Sequence, residues 1–143
     1  MSTDHPVNTS ISINASLEKV WDALTNPSVV KQYMFGTDVI SNWQQDKPII
    51  FKGEWQGKRY EDKGIIKHIE PLRLLEYTHW SPLSGKPETD EHINTIRIEL
   101  TDEHGSTKVH LTQSNNKTKE AHDHSKEMWN TALTAMKKVV EGT

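Results

Sequence analysis

Thr118-Lys-Glu-Ala-His-Asp-His-Ser-Lys-Glu-Met-Trp-Asn-Thr-Ala-Leu-Thr-Ala-Met-Lys-Lys-Val-Val140 is the stretch whose pattern decides the fold. At 100° per residue, Ala121, Ser125, Met128, Trp129, Ala132, Leu133, Ala135, Met136, Val139 and Val140 fall within an arc of about 160°. Lys126, Glu127, Asn130, Thr131, Thr134, Lys137 and Lys138 fill the rest of the wheel. Lys137 and Lys138 also stand near the C-terminal end, where the helix dipole favours cations. Gly142 follows as a stop. The pattern predicts one long amphipathic helix over about 118–140. An apolar face this wide needs a broad partner.

The partner is written in the middle of the chain. Between 37 and 115 the texture is strands separated by turns, with strands predicted near 37–43, 49–55, 59–69, 72–80, 91–101 and 107–115. Gln56-Gly57, Glu70-Pro71, Ser81 to Pro87 and Glu103-His104-Gly105 supply the turns. Strands in succession without intervening helices predict an antiparallel meander. Upstream, Val7, Ile11 and Ile13 alternate with polar residues as in a half-buried strand. Ser16 then caps a short helix carrying Val20, Trp21 and Leu24. Asn26-Pro27 opens a second one with Val29, Val30, Tyr33 and Met34, which Gly36 ends. The order predicts an α+β helix-grip fold. A curved sheet of six to seven antiparallel strands wraps the long C-terminal helix, and two short helices follow the first strand.

Alternation assigns the strand faces. Leu75, Tyr77 and His79 go inward, because the opposite choice would bury Glu76 unpaired. Ile96, Ile98 and Leu100 go in with Asn94, Val109 and Leu111 with Gln113, and Phe51 and Gly53 with Trp55. Strand 59–69 is ambiguous, since Tyr60, Gly64 and Ile66 share a face with Asp62. Several inward faces thus turn polar or aromatic toward one end. A ligand pocket wants apolar walls with a few placed polar groups; strand ends leaving the core produce the same pattern.

Composition bounds the function classes. The 143 residues make room for one domain, 1–143. Leu, Ile, Val and Phe together reach only about a fifth of the chain, so five Trp, three Tyr and four Met must carry part of the core. There is no Cys, which excludes disulfides, thiolate metal sites and cysteine nucleophiles and fits a reducing compartment. No signal peptide and no membrane span are legible, and a cytoplasmic location is expected. A net charge of −3 speaks against a nucleic-acid surface.

Three segments carry a resemblance. Residues 11–27, Ile-Ser-Ile-Asn-Ala-Ser-Leu-Glu-Lys-Val-Trp-Asp-Ala-Leu-Thr-Asn-Pro, resemble a strand, a small-residue cap and Val-Trp-x-Ala-Leu-Thr-x-Pro. Gly64, Ile66, Ile69, Pro71, Leu75, Tyr77 and Thr78 resemble a G-x-I-x-x-I-x-P-x-x-x-L-x-Y-T-W segment. Residues 105–114, Gly-Ser-Thr-Lys-Val-His-Leu-Thr-Gln-Ser, resemble G-x-T-x-L-x-L-T-H-S. The chain resembles a START-like (SRPBCC) domain of the activator of heat-shock-protein ATPase homologue type. The resemblance implies binding of a hydrophobic or aromatic small molecule between sheet and helix. It leaves two alternatives: a stress-response co-chaperone domain that binds a chaperone, and a polyketide cyclase-like enzyme. The larger co-chaperones have a separate N-terminal domain for which this chain is too short. Gln113 stands where relatives have His, and His79 interrupts the Tyr-Thr-Trp run.

The expected ligand-binding set is Tyr33, Met34, Phe51, Trp55, Tyr60, Tyr77, His79, Asn94, Gln113, Met128, Trp129, Ala132 and Met136. Aromatics form its walls and Met128 and Met136 its adaptable parts. His79 is a candidate general base or a hydrogen-bonded anchor. Glu61 and Asp62 beside Tyr60 read first as a solvated hairpin, and an acid/base pair is the alternative. Trp80 falls on the outward face, where it and the 81–90 loop are candidates for a protein contact. The eight His lack ligand spacing, since His122 and His124 are two apart on a helix. No catalytic residue, metal or cofactor is assigned, and a monomer or weak dimer is expected.

Overall fold

The computed structural model describes residues 5–82, 85, 87–89 and 92–142. The elements run β1 (Val7–Ile13), α1 (Leu17–Thr25), α2 (Pro27–Tyr33), β2 (Asp38–Ser41), β3 (Pro48–Trp55), β4 (Lys58–Glu70), β5 (Leu74–His79), β6 (Asn94–Glu103), β7 (Ser106–Ser114) and α3 (Lys119–Glu141). All seven strands form one antiparallel sheet in the order β1-β7-β6-β5-β4-β3-β2. β2 to β7 form a meander of chain neighbours, and β1 adds to the far side of β7. The helix-grip order is the observed one. Part of the predicted 81–87 turn and of the 81–90 loop lies outside the described residues.

The helices begin where side chains accept from orphan amides. Ser16 Oγ accepts from Lys19 N, and Thr118 Oγ1 accepts from Ala121 N. Asn26 serves two helices: its N–H donates to Asp22 O at the end of α1, and its side chain accepts from Ser28 N at the start of α2. Gly36, at φ 84, lies in the left-handed region after α2, and its N–H donates to Lys31 O.

One core lies between sheet and helices. It joins Ile13, Val20, Leu24, Tyr33, Phe51, Ile66, Leu75, Ile98, Leu111, Trp129, Leu133 and Met136, among others. The buried residues of α3 are Trp129, Ala132, Leu133, Met136 and Val140, a stripe about 100° wide. It is narrower than the apolar arc. Met128 and Ala121 lie on one shoulder of that arc, and both are exposed, Met128 at 43%. The expected burial of Met128 and Ala121 is corrected on this ground: the helix presents more apolar surface than the sheet covers.

The ambiguity of β4 has a physical cause. The pairing to β5 shifts register between Ile66 and His68, a bulge that moves inward positions from even to odd numbers. Ile66 opposes Tyr77 before it, and Ile69 opposes Leu75 after it. Gly64 sits where the two strands come closest: a Cβ there would overlap the Thr78 carbonyl oxygen. Gly64→Ala is therefore expected to cost about 3 kcal/mol or more, read by urea denaturation. A loss within about 0.5 kcal/mol would mean that β4 and β5 do not approach this closely.

The end of α3 is tied to β1. Glu141 Oε2 accepts from Asn14 N (2.8 Å) and from Lys137 Nζ (2.6 Å), while Lys137 also donates to Ser12 O (2.7 Å). The Asn14 amide, and after it Lys137, hold the Glu141 carboxyl below the usual glutamate range. A depressed folded value means a stabilisation present above the unfolded value and lost as pH falls through the folded one. Glu141→Gln is expected to melt below the parent at pH 7. The gap should close as pH drops below the ordinary glutamate value of about 4.3. A gap that does not change with pH contradicts the tie.

Candidate functional site

The aromatics of the core converge on one interior cavity. Its walls come from every layer: Leu24 of α1, Val30 and Tyr33 of α2, Val39 of β2, Ile49 and Phe51 of β3, Leu75 and Tyr77 of β5, Ile98 of β6, Leu111 of β7, and Trp129, Ala132, Leu133 and Met136 of α3, with Met34 and Trp43 beside them. Its volume is about 40 Å³. That exceeds the roughly 10–15 Å³ needed to hold one water and falls well below the roughly 300–1,000 Å³ of a ligand pocket. Side chains fill most of the space between sheet and helix in this state. A shallow hollow of about 690 Å³ on the outer face of α3, between Asp123 and Lys138, is open to solvent and has walls from that helix alone.

Local structure sets each wall. Tyr33 Oη donates to Ala23 O (2.7 Å), which ties α2 to α1 and leaves the ring facing the sheet. Its hydroxyl is pushed above the usual tyrosine value by burial and, less, by the nearness of Tyr77. Burial alone pushes the Tyr77 hydroxyl up. Both therefore stay neutral and can donate. Among the described residues nothing hydrogen-bonds the Tyr77 hydroxyl. Trp43 follows the end of β2 at φ 56, and its N–H donates to Ser41 Oγ (2.9 Å). Phe51 stacks obliquely on Tyr77, with ring centroids 5.6 Å apart.

Seven of the predicted residues line this cavity: Tyr33, Met34, Phe51, Tyr77, Trp129, Ala132 and Met136. Five others are placed elsewhere. Gln113 is buried, but all its polar atoms are engaged: Oε1 accepts from Trp129 Nε1 (2.6 Å), and Nε2 donates to Asn116 Oδ1 (2.9 Å) and Ser125 Oγ (3.0 Å). It seams β7 to α3. Asn94 donates to the carbonyls of Ser114 and Asn115, so it closes the end of β7. Met128 faces solvent. The side chain of Trp55 lies outside the described residues. Trp80 is half-buried, with Lys63 Nζ 5.6 Å from its ring centroid. Trp43, outside the expected ligand-binding set, also joins the lining. Alternation from Val39 through Ser41 to Trp43 was the signal that points to it.

Beside Phe51 the covered face turns polar. Phe51 pairs with Asp62 across β3 and β4, and its ring centroid stands 6.0 Å from that of His79. His79 Nε2 lies 3.0 Å from Asp62 Oδ2, with the side chains 30% and 17% exposed. Asp62 is thus no solvated hairpin residue, and the first reading of it is corrected. The β3 register turns it to the same face as Phe51. Tyr60, also on this face, lies over Gly53 and shares a hydrogen bond with Thr37 Oγ1. Among the described residues, no three His, Asp or Glu side chains come together as metal ligands would.

Residues 14–141 match the family described as activator of Hsp90 ATPase homolog 1-like protein. The chain belongs to this family. A protein from Cytophaga hutchinsonii with a solution structure is 44% identical over 99% of this chain and 97% of its own, with a TM-score of 0.87. The Aha1 dimer from Colwellia psychrerythraea shares the fold at 21% identity, covering 96% of both chains, with a TM-score of 0.75. CalU16 from Micromonospora echinospora does so at 18% identity over 96% of this chain and 76% of its own, also with a TM-score of 0.75. No curated protein matches the chain. No helix among the described residues is long and apolar enough to cross a membrane.

Trp129→Phe keeps an aromatic group of smaller volume and removes the donor, leaving Gln113 Oε1 buried without one. The expected loss is about 1–3 kcal/mol in urea unfolding, with the fold kept. An unchanged midpoint would show that the Gln113 seam does not hold α3.

Proposed function

We propose that this member of the family is a binding module for a small apolar or aromatic molecule, taken up where the interior cavity now lies. The observation that supports it most is the wall: aromatic and thioether side chains from sheet, short helices and α3 meet around space that they do not fill. Met34 and Met136 carry three rotatable bonds each and repack at low cost. The Tyr77 hydroxyl offers a donor inside an otherwise apolar lining. The 40 Å³ volume sets a condition on this reading. A guest enters only as the Met side chains and α2 give way, so affinity is reduced by the work of opening.

A co-chaperone role, with the chaperone as partner, is the second reading. Family membership favours it, together with Phe35 and Ile40, which expose 55% and 49% of their surface next to α2 and on β2. It predicts that a heat-shock ATPase binds the chain and that Phe35→Ala weakens the complex. The ligand reading predicts no such effect.

Titrating lipids and polycyclic aromatics while following Trp fluorescence tests the pocket, since Trp43 and Trp129 line it. Met136→Ala enlarges the cavity. It is expected to lower stability by about 2–5 kcal/mol and to tighten binding of a compact aromatic guest, as dry engineered cavities do. If neither parent nor variant responds to any compound, the pocket is only a packing flaw.

A further inference from the structure

The Asp62–His79 pair is not explained by packing alone. A carboxylate oxygen only accepts, so His79 donates from Nε2 to Asp62 Oδ2, and a neutral ring then keeps a lone pair at Nδ1. The second carboxylate oxygen, Oδ1, is buried, and no described residue donates to it. Asp62 Oδ1 is thus a buried acceptor without a donor among the described residues. The neighbouring donors are engaged elsewhere. The Tyr60 hydroxyl is bonded to Thr37, Lys63 pairs with Glu88, and Lys52 pairs with Glu61 on the opposite face of the sheet. Phe51 joins this pair to the cavity, since it lines the cavity beside Tyr77 and its ring centroid stands 6.0 Å from that of His79.

Resting on the pocket reading above, we infer that Asp62 and His79 form the polar end of the binding site. They accept a hydrogen bond from the hydroxyl or N–H of a ring-sized apolar guest and reject a guest that ends in a carboxylate. A donor restores what the buried Oδ1 lacks. A carboxylate would place acceptor against acceptor and charge against the Asp62 charge, and with the His79 ring neutral no described cation reaches Asp62 to offset it. An ether of the same shape fills the apolar part without meeting the acceptors. The selectivity therefore lies in the headgroup, while the Phe51–Tyr77–Trp129 walls bind the body of the guest.

Calorimetric titration with 2-naphthol, 2-methoxynaphthalene and 2-naphthoate separates the two parts. The full chain is expected to bind the naphthol about tenfold tighter than the ether, a difference of one hydrogen bond, and the naphthoate more weakly than either. In Asp62→Asn and in His79→Gln the preference for naphthol over ether should shrink to about twofold or less, with the ether affinity unchanged. The ¹⁵N shift of His79 Nδ1 should move with naphthol and stay with the ether. This readout, with the wild-type ranking, decides the matter even if a variant fails to fold. Equal binding of naphthol and ether by the wild type overturns the headgroup role and leaves the pocket. A preference that survives both substitutions in folded protein does the same. Failure of all three compounds to bind overturns both.

Discussion

One buried hydrogen bond sets the geometry on which the rest depends. Trp129 donates its indole N–H to Gln113, and Gln113 spends its own two donors on Asn116 and Ser125. A helix lying on a sheet by apolar contact alone can rotate or slide at little cost, because burial is not directional. A satisfied amide in the seam removes that freedom, since each displaced state leaves polar atoms dry and unpaired. Once α3 is held at Trp129, Leu133 and Met136 share the cavity wall with Leu75, Tyr77, Ile98 and Leu111 of the sheet. The cavity is the space that the side chains of this helix, the two short helices and the sheet leave between them.

The polar strip on β4 and β5 lies beside the cavity, next to Phe51. Its position depends on the bulge between Ile66 and His68 and on the bare backbone at Gly64. Together they let β4 carry Tyr60 and Asp62 on the face that Ile69 shares farther along. Without the bulge, the residues that keep the core apolar at one end would turn the carboxylate outward at the other. The division into an apolar body and an accepting head is thus written into strand register rather than into a loop.

Much of this was legible beforehand. The helix period, the caps at Ser16 and Asn26 and the inward sets on β5, β6 and β7 all follow from local rules and are found as read. The failures share a cause. Met128 was placed by angle, which says which side of a helix is apolar but not how much of that side a partner covers. Asn94 and Gln113 were correctly turned inward, yet alternation cannot say whether a buried amide is free or already spent; that depends on Asn115, Asn116 and Ser125, which lie in other elements. Asp62 was read by its charge and its Lys-rich surroundings, and only the pairing with Phe51 shows its side.

The sheet order carries a consequence for how the chain reaches this state. From β2 to β7 every pairing joins sequence neighbours, and each can zip from its own turn. β1 is different: Val7 pairs with Gln113 and Ile13 with Thr107, so the loop that this strand closes holds most of the meander and both short helices. The entropy of such a closure is met only when the meander already presents β7. Residue 113, the seam to α3, is also the first rung for β1. The last long-range step of folding therefore sets the two ends of the chain against one residue, and an error there would leave sheet and helix formed but the grip unclosed.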